Sequence, residues 1–242
     1  GIHFTSDNEN VTTVSADGTV TIKNAGTAKI TVSMDESQNF LAVSKEVTVT
    51  VAPKEITVTP DNASKVYGES DKEFTYTPSG LVGEDTLSDI TLSRAEGDNV
   101  GTYEITAAQK KDANPNYSVK FNKGTFTINP KEITVTITPN GGTYEGNIIS
   151  AAAVLNGLVG EDKPEIILTY AGKANDGTEV NGTKTPVLAG TYTVTASITD
   201  SNYNLKAEGT TAEFVVTKAT PGLSVAAVSD KSYGEGAFKL GV

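Results

Sequence analysis

Apolar and polar residues alternate strictly along Val47-Thr48-Val49-Thr50-Val51, and again along Ile56-Thr57-Val58-Thr59. A period of two sends successive side chains to opposite faces of a pleated strand, so both stretches predict β-strands with one face turned inward. Ahead of them, residues 11–14, 19–23 and 29–33 are β-branched and alternating, and they predict three more strands. Asp17-Gly18 and Asn24-Ala25-Gly26 supply turns between these. Ala52-Pro53 then closes the first block, because proline has no N–H to give a ladder. A connection this short predicts restricted motion between the blocks on either side.

From Lys54 onward the same reading gives short strands at Phe74-Thr75-Tyr76, from Gly101-Thr102-Tyr103 to Thr106, from Tyr117 to Phe121 and from Gly124 to Ile128, with a polar turn after Pro60. Short strands separated by regular turn signals predict an all-β sandwich or barrel-like module. One stretch is ambiguous. Residues 85–90, Asp-Thr-Leu-Ser-Asp-Ile, permit a single helical turn with Asp85 as its cap. Nothing in the module predicts a long amphipathic helix.

The pattern then returns. Lys54-Glu55-Ile56-Thr57-Val58-Thr59 is echoed by Lys131-Glu132-Ile133-Thr134-Val135-Thr136, and the hexapeptide Gly-Leu-Val-Gly-Glu-Asp at 80–85 by the same six residues at 157–162; both offsets are 77. A fixed period of this size marks a tandem array. Gly190-Thr191-Tyr192 and Asn202-Tyr203 repeat Gly101-Thr102-Tyr103 and Asn116-Tyr117, whereas Tyr144-Glu145-Gly146 replaces the earlier Tyr67-Gly68. Between the hexapeptide and the Gly-Thr-Tyr mark the later copy is twelve residues longer, at 171–185, where Asn175-Asp176-Gly177 predicts a hairpin turn. The expected organisation is a block at 1–52, modules at 53–130 and 131–218, and the start of a further unit at 219–242. The last carries its own Ser232-Tyr233-Gly234-Glu235 mark, and about 20 residues are too few to close a core, so this tail is expected to be poorly packed or to borrow contacts.

Residues 11–33, VTTVSADGTVTIKNAGTAKITVS, resemble the latter half of bacterial Ig-like group 2 domains. That resemblance implies that the first strands of such a domain lie upstream. The chain opens at Gly1, without an initiator methionine and in strand-like residues, as expected of an excerpt from a longer protein. Tyr67-Gly68, Gly80-Leu81-Val82, Gly101-Thr102-Tyr103, Asn116-Tyr117 and Gly124-Thr125-Phe126 together resemble the MBG family of YGX type. The resemblance implies small mostly-β modules of Ig-like or β-grasp-like kind, found in tandem in an elongated array on large bacterial surface proteins and adhesins. On that basis the module at 131–218 is a divergent relative.

Physical reasons for the recurring marks are expected to be structural. In Gly-Thr-Tyr the glycine would occupy a turn of positive φ. Tyr103 and Tyr192 would sit mostly buried at strand entrances, each with a hydroxyl that needs a partner, and Tyr67 and Tyr144 would do similar work. Thr57, Thr59, Thr134 and Thr136 fit a solvent-facing pleat.

Composition narrows the field of functions. Lys and Arg number 19 against 30 Asp and Glu, a net charge of −11 with pI near 4.6, which argues against nucleic acid and anionic membrane surfaces as partners. No apolar run approaches the roughly 18 residues of a membrane span. Cysteine is absent, so disulfides, thiolate metal sites and cysteine nucleophiles are unavailable. His3 is the only histidine, at the very start, a poor place for a catalytic triad. Gly141-Gly142 lacks the lysine and helix of a phosphate loop. Glu84, Asp85 and Asp89 lack the spacing of a calcium loop and read as solvated turn charges. An intramolecular Lys–Asn bond would need a buried lysine, an asparagine and an acid, and the sequence singles out no set.

The sequence therefore predicts no catalytic residue, no cofactor site and no metal site. It predicts a spacer segment of a cell-surface or secreted protein, reaching roughly 100 Å if three and a half modules are threaded end to end. Its partners would be its own neighbouring modules. The alternatives are a module that binds mucin or another host or dietary glycan or protein, with 171–185 as the recognition element, and an accessory segment of a secreted polysaccharide-degrading enzyme.

Overall fold

A computed structural model describes residues 1–146 and 149–241. Among these the chain is all β, with twenty strands and no helix. It divides into two compact units, Gly1–Asn129 and Pro130–Val242.

The first unit begins with β1 (Ile2–Ser6), the hairpin β2 (Thr12–Val14) and β3 (Val20–Ile22), then β4 (Gly26–Met34) and β5 (Val43–Val51). Strand β4 is central in the antiparallel sheet β1-β4-β5. Cross-strand partners share a face, so Ile30 lies beside Val47 and Ala28 beside Val49. That face is sealed at Ala28 and Ile30, which with Val11 are buried, but Val47, Val43, Met34 and Ile2 are exposed. The valine face of β5 is therefore only half covered: Val43 and Val47 are exposed, whereas Val49 and Val51 are half-buried.

After Ala52-Pro53 follow β6 (Lys54–Pro60), β7 (Ala63–Val66), β8 (Tyr76–Ser79), β9 (Ile90–Arg94), β10 (Gly101–Gln109), β11 (Tyr117–Phe121) and β12 (Gly124–Asn129). They form two mixed sheets, β11-β6-β8 and β7-β12-β10-β9. The pairs β6–β11 and β7–β12 are parallel and the others antiparallel. Ile56 and Val58 from one sheet, and Ile105, Phe126 and Ile128 from the other, form the buried interior. Phe74 precedes β8 rather than beginning it, and its ring stands edge-on to Phe126 with centroids 5.5 Å apart. Residues 63–66 are a strand where the sequence predicted a polar turn.

The second unit contains β13 (Lys131–Pro139), β14 (Gly142–Thr143), β15 (Ala151–Asn156), β16 (Ile166–Ala174), β17 (Glu179–Gly182), β18 (Gly190–Ile198), β19 (Tyr203–Leu205) and β20 (Thr211–Thr217). Its sheets are β15-β13-β19 and β14-β20-β18-β16-β17. This is the order of residues 54–129 again, with β17 added. The added strand returns on β16 through Asn175-Asp176-Gly177, with Lys173 opposite Glu179 and Gly177 at φ +93°. Tyr170, Tyr192, Val194, Phe214 and Val216 fill the interior. With two layers of sheet and no helix in either module, the architecture is sheet on sheet. No strand follows Thr217 among the described residues, and Leu223, Val225, Tyr233 and Phe238 of the tail are exposed. Val242, the last residue of the expected fourth unit, lies outside the described residues.

Candidate functional site

The residues singled out by repetition fall into three places: the hexapeptide loop, the foot of each Gly-Thr-Tyr strand, and the joint between successive sheets of the first unit.

In the loop, Asp85 caps no helical turn. Its carboxylate accepts the hydroxyl of Tyr117, and the same oxygen of Tyr117 accepts the Val82 N–H at 3.1 Å. The loop is thus closed onto the first residue of β11, and the carboxylate is satisfied by a ring rather than by backbone. The second unit repeats the arrangement: Tyr203 donates to Asp162 and accepts the Val159 N–H at 2.9 Å. The hydrogen bond to Asp85 pushes the Tyr117 hydroxyl above the ordinary tyrosine range. Asn114, buried beside it, accepts the Ser88 N–H at 3.0 Å and donates to the Ser88 carbonyl at 3.1 Å, so the loop is tied at two points. Asp89 lies at φ +54°, and its carbonyl accepts the Lys110 N–H. Glu84, Asp85 and Asp89 do not converge; no group of three acidic or histidine side chains able to hold a metal occurs among the described residues.

At the Gly-Thr-Tyr strands, Tyr192 is 1% exposed and Tyr103 is half-buried, as are Tyr67 and Tyr144. Both Gly-Thr-Tyr hydroxyls donate to a carbonyl four residues upstream, Tyr103 to Asn99 at 2.7 Å and Tyr192 to Leu188 at 2.9 Å. Burial pushes the Tyr192 hydroxyl pKa up. Gly101 and Gly190 are not at positive φ, contrary to expectation. Space is the reason at Gly190, where a Cβ would lie 2.5 Å from the Lys173 carbonyl oxygen and 2.7 Å from the Tyr192 hydroxyl.

Beneath β10 sits a charge cluster that periodicity did not reveal. Lys65, a buried lysine on β7, places Nζ 2.7 Å from Asp71, whose other oxygen is 2.5 Å from Arg94 Nε. Asp98 joins both cations from the surface. The Arg94 guanidinium lies 5.0 Å from the centroid of Phe126. Hydrogen bonds from Arg94, then Lys65, hold the Asp71 carboxyl below the usual carboxylate range. The ammonium of Lys65 faces two aspartates, not an asparagine. Lys65, after the polar stretch Asp61-Asn62-Ala63-Ser64 and before Tyr67-Gly68, gave no signal of burial, since lysine is ordinarily a surface residue.

The joint is built on Asn116. Its carbonyl accepts the N–H of Lys54, the first residue after the Ala52-Pro53 connection, at 2.9 Å. Its side-chain oxygen accepts the Ala25 N–H at 2.8 Å, and its amide donates to the Asn24 side chain at 2.8 Å. One asparagine on the β11 side therefore holds both the linker and the Asn24-Ala25-Gly26 turn of the preceding sheet. In the second unit the Lys131 N–H is accepted by the Asn202 carbonyl at 2.9 Å, the same main-chain arrangement.

His3 is exposed and 2.7 Å from Asp35, whose carboxyl it holds below the usual range. Gly141 and Gly142 flank an open cleft at β14. The inserted hairpin contributes Thr178, Val180 and Asn181 to a cleft of about 190 Å³ that also includes Lys184, Leu188 and Tyr192.

Residues 56–127 match the family model described as MBG domain (YGX type). No curated protein matches the chain. Among solved structures, similarity is found to surface layer protein SbsC, domains 4-9, at 18% identity and TM-score 0.25, covering 96% of this chain and 41% of that one. A second is the zebrafish RET cadherin-like domains 1 to 4, at 9% identity and TM-score 0.20, covering 90% of this chain and 66% of that one. The chain thus spans less than half the length of the first of these.

Proposed function

We propose that this chain is a non-catalytic spacer segment of a large bacterial surface or secreted protein, an adhesin-like chain of mostly-β modules that holds a distal domain away from the envelope. The MBG-type match at residues 56–127 supports the setting. The observation that carries the mechanical role is the Asn116 joint, where one side chain bonds the turn of the preceding sheet on two atoms while its carbonyl secures the linker. A spacer transmits position only if adjacent modules cannot swivel freely, and a two-residue connection fixed at both ends resists that. On this reading residues 1–52 are the latter half of an Ig-like group 2 domain, 53–130 and 131–218 are successive modules, and 219–242 opens another. The protein works outside the cell, with its own modules as principal partners.

A second reading is favoured by one feature, the cleft beside the inserted hairpin: it is a recognition site for mucin or another glycan. The two readings part in one experiment. The full chain is applied to mucin and glycan arrays beside a variant lacking residues 175–185. The spacer reading expects no saturable binding by either. Saturable binding lost with the hairpin would overturn it in favour of recognition.

A further inference from the structure

A sheet that ends in mid-air offers a row of unpaired N–H and C=O groups, and natural proteins protect such rows with proline, lysine, a bulge or a capping side chain. Three of the four edge strands of the 54–129 sandwich carry such protection. Strand β8 contains Pro78 and β11 an exposed Lys120. On β7 the outward Val66 N–H is taken by the Glu69 carboxylate at 3.0 Å.

The fourth, β9, has none. Its register with β10 pairs Arg94 with Ile105 and Ile90 with Gln109. The bonds that continue the ladder at either end, Lys110 N–H to Asp89 carbonyl and Ala95 N–H to Glu104 carbonyl, fix which residues bond inward. They are the odd-numbered ones, so the N–H and C=O of Ile90, Leu92 and Arg94 point away from the sheet. Residues 90–93 carry no charge, in a chain whose net charge is −11. The charge of Arg94 is matched by Asp71 and Asp98. Beside this edge runs an open groove lined by Glu73, Phe74, Thr75, Tyr76, Ile90 and Leu92, with its apolar members half-buried. In the second unit the corresponding strand β16 already accepts a further antiparallel strand, β17, along Tyr170–Lys173, starting at Tyr170, the counterpart of Arg94. The sheet can therefore grow in this direction.

We propose that the β9 edge is a homotypic interface, at which β9 of a second copy of this chain pairs antiparallel about a two-fold axis through Leu92. The occupant is argued from self-complementarity. A two-fold at Leu92 brings the three outward-facing residues of each strand into hydrogen-bonded pairs: 92 with 92, and 90 with 94 in both directions. It sets Thr91 opposite Ser93 of the other copy in the closer, non-hydrogen-bonded pairs, where two small hydroxyl side chains fit. It also brings the inward-facing Ile90 and Leu92 of each copy over the groove at Phe74 and Tyr76 of the other. The two sheets would merge into one continuous sheet, a lateral contact suited to chains crowded side by side. This rests on the surface-segment reading only for its biological use, and not for its geometry.

The test is sedimentation velocity on the whole 242-residue chain over a rising concentration series. The variants T91K/S93K and T91K/S93E alter exposed side chains and give up only the surface hydrogen bonds of Thr91 to Ala108 and of Ser93 to Thr106, equally in both; retention of the fold is checked by circular dichroism. The wild type is expected to dimerise weakly and reversibly. T91K/S93K places lysine opposite lysine twice and is expected to raise the dissociation constant about ten-fold or more. T91K/S93E places lysine opposite glutamate and is expected to restore the wild-type value within about three-fold. A wild type that stays monomeric at the highest concentration, or a dimer indifferent to T91K/S93K, overturns the proposal. Failure of the array experiment above leaves this result untouched, and the reverse also holds.

Discussion

The hydroxyl of Tyr203 donates to the Asp162 carboxylate while accepting the Val159 N–H, and 86 residues earlier Tyr117 makes the same two bonds with Asp85 and Val82. A buried phenol that both donates and accepts is fully satisfied, and it fastens the hexapeptide loop to the later strand that carries the tyrosine. Y203F keeps the ring and removes the oxygen, leaving the Val159 N–H without its acceptor. The expected cost is about 1–2 kcal/mol, read as a lower urea midpoint for the second unit's transition with an unchanged slope. An unchanged midpoint would show that water replaces the hydroxyl without loss.

The first copy of this contact has a pH signature. Hydrogen bonding to Asp85 raises the Tyr117 pKa in the folded state above the unfolded value of about 10. A raised pKa means stability present below the unfolded value and lost as pH rises through the folded one. Alkaline titration should therefore destabilise the wild type above about pH 10 more than it does Y117F. Phenolate absorbance should show a late-titrating fraction that shrinks in the variant. Part of that fraction remains, because burial raises Tyr192 as well.

The charge cluster predicts unequal roles for its two acids. Asp71 bridges a lysine 6% exposed and an arginine 12% exposed, whereas Asp98 is 83% exposed. D71N should cost about 2–4 kcal/mol, since it leaves two largely buried cations with only the exposed Asp98 as counter-charge. D98N should cost less than about 0.5 kcal/mol. The folded Asp71 pKa is depressed, so its contribution is present above the unfolded value of about 3.9 and is lost as pH falls through the folded value. The acid limb of the wild-type stability curve should accordingly be flatter in D71N.

Much of this fold was legible because it is written in periods. Alternation located β5, β6 and β13, and the 77-residue offset announced that the hexapeptide recurs in an equivalent place, with the Gly-Thr-Tyr marks following it in both copies. The β17 hairpin followed from Asn175-Asp176-Gly177. What escaped is contact between distant residues of unremarkable type. The four residues of β7 do not alternate cleanly, since Lys65 faces inward, and its burial depends on Asp71 and Arg94 supplied by other segments. Asp85 resembled a helix cap because its partner, Tyr117, lies 32 residues away. Parallel pairing of β6 with β11 brings them together, and no local pattern encodes that pairing.

The Asn116 joint is open to amide exchange. The Ala25 N–H donates to the Asn116 side chain, a bond between residues 91 apart in sequence. N116A removes that acceptor and the bond to Asn24 but leaves the main-chain bond to Lys54. The Ala25 amide should exchange about ten-fold faster, with amides of β4 and β10 unchanged. Equal rates in the two proteins would mean that the joint holds by other contacts, and would remove the principal support for the spacer role.

The two Gly-Thr-Tyr glycines look equivalent in sequence and should respond oppositely to a methyl group. At Gly190 a Cβ would meet the Lys173 carbonyl at 2.5 Å and the Tyr192 hydroxyl at 2.7 Å, and neither has room to withdraw: the first is ladder backbone and the second is bonded to Leu188. At Gly101 the nearest atom, on the Tyr103 ring, is 3.8 Å away, an ordinary contact, and the backbone is not left-handed. G190A should cost about 1–3 kcal/mol by overpacking. G101A should be neutral or gain up to about 0.5 kcal/mol, since alanine loses less chain entropy than glycine on entering a strand. The measurement is thermal unfolding of the two single variants side by side. If both were destabilised alike, glycine would be required by the strand start itself, and the longer hairpin that crowds Gly190 in the second unit would have no part in it.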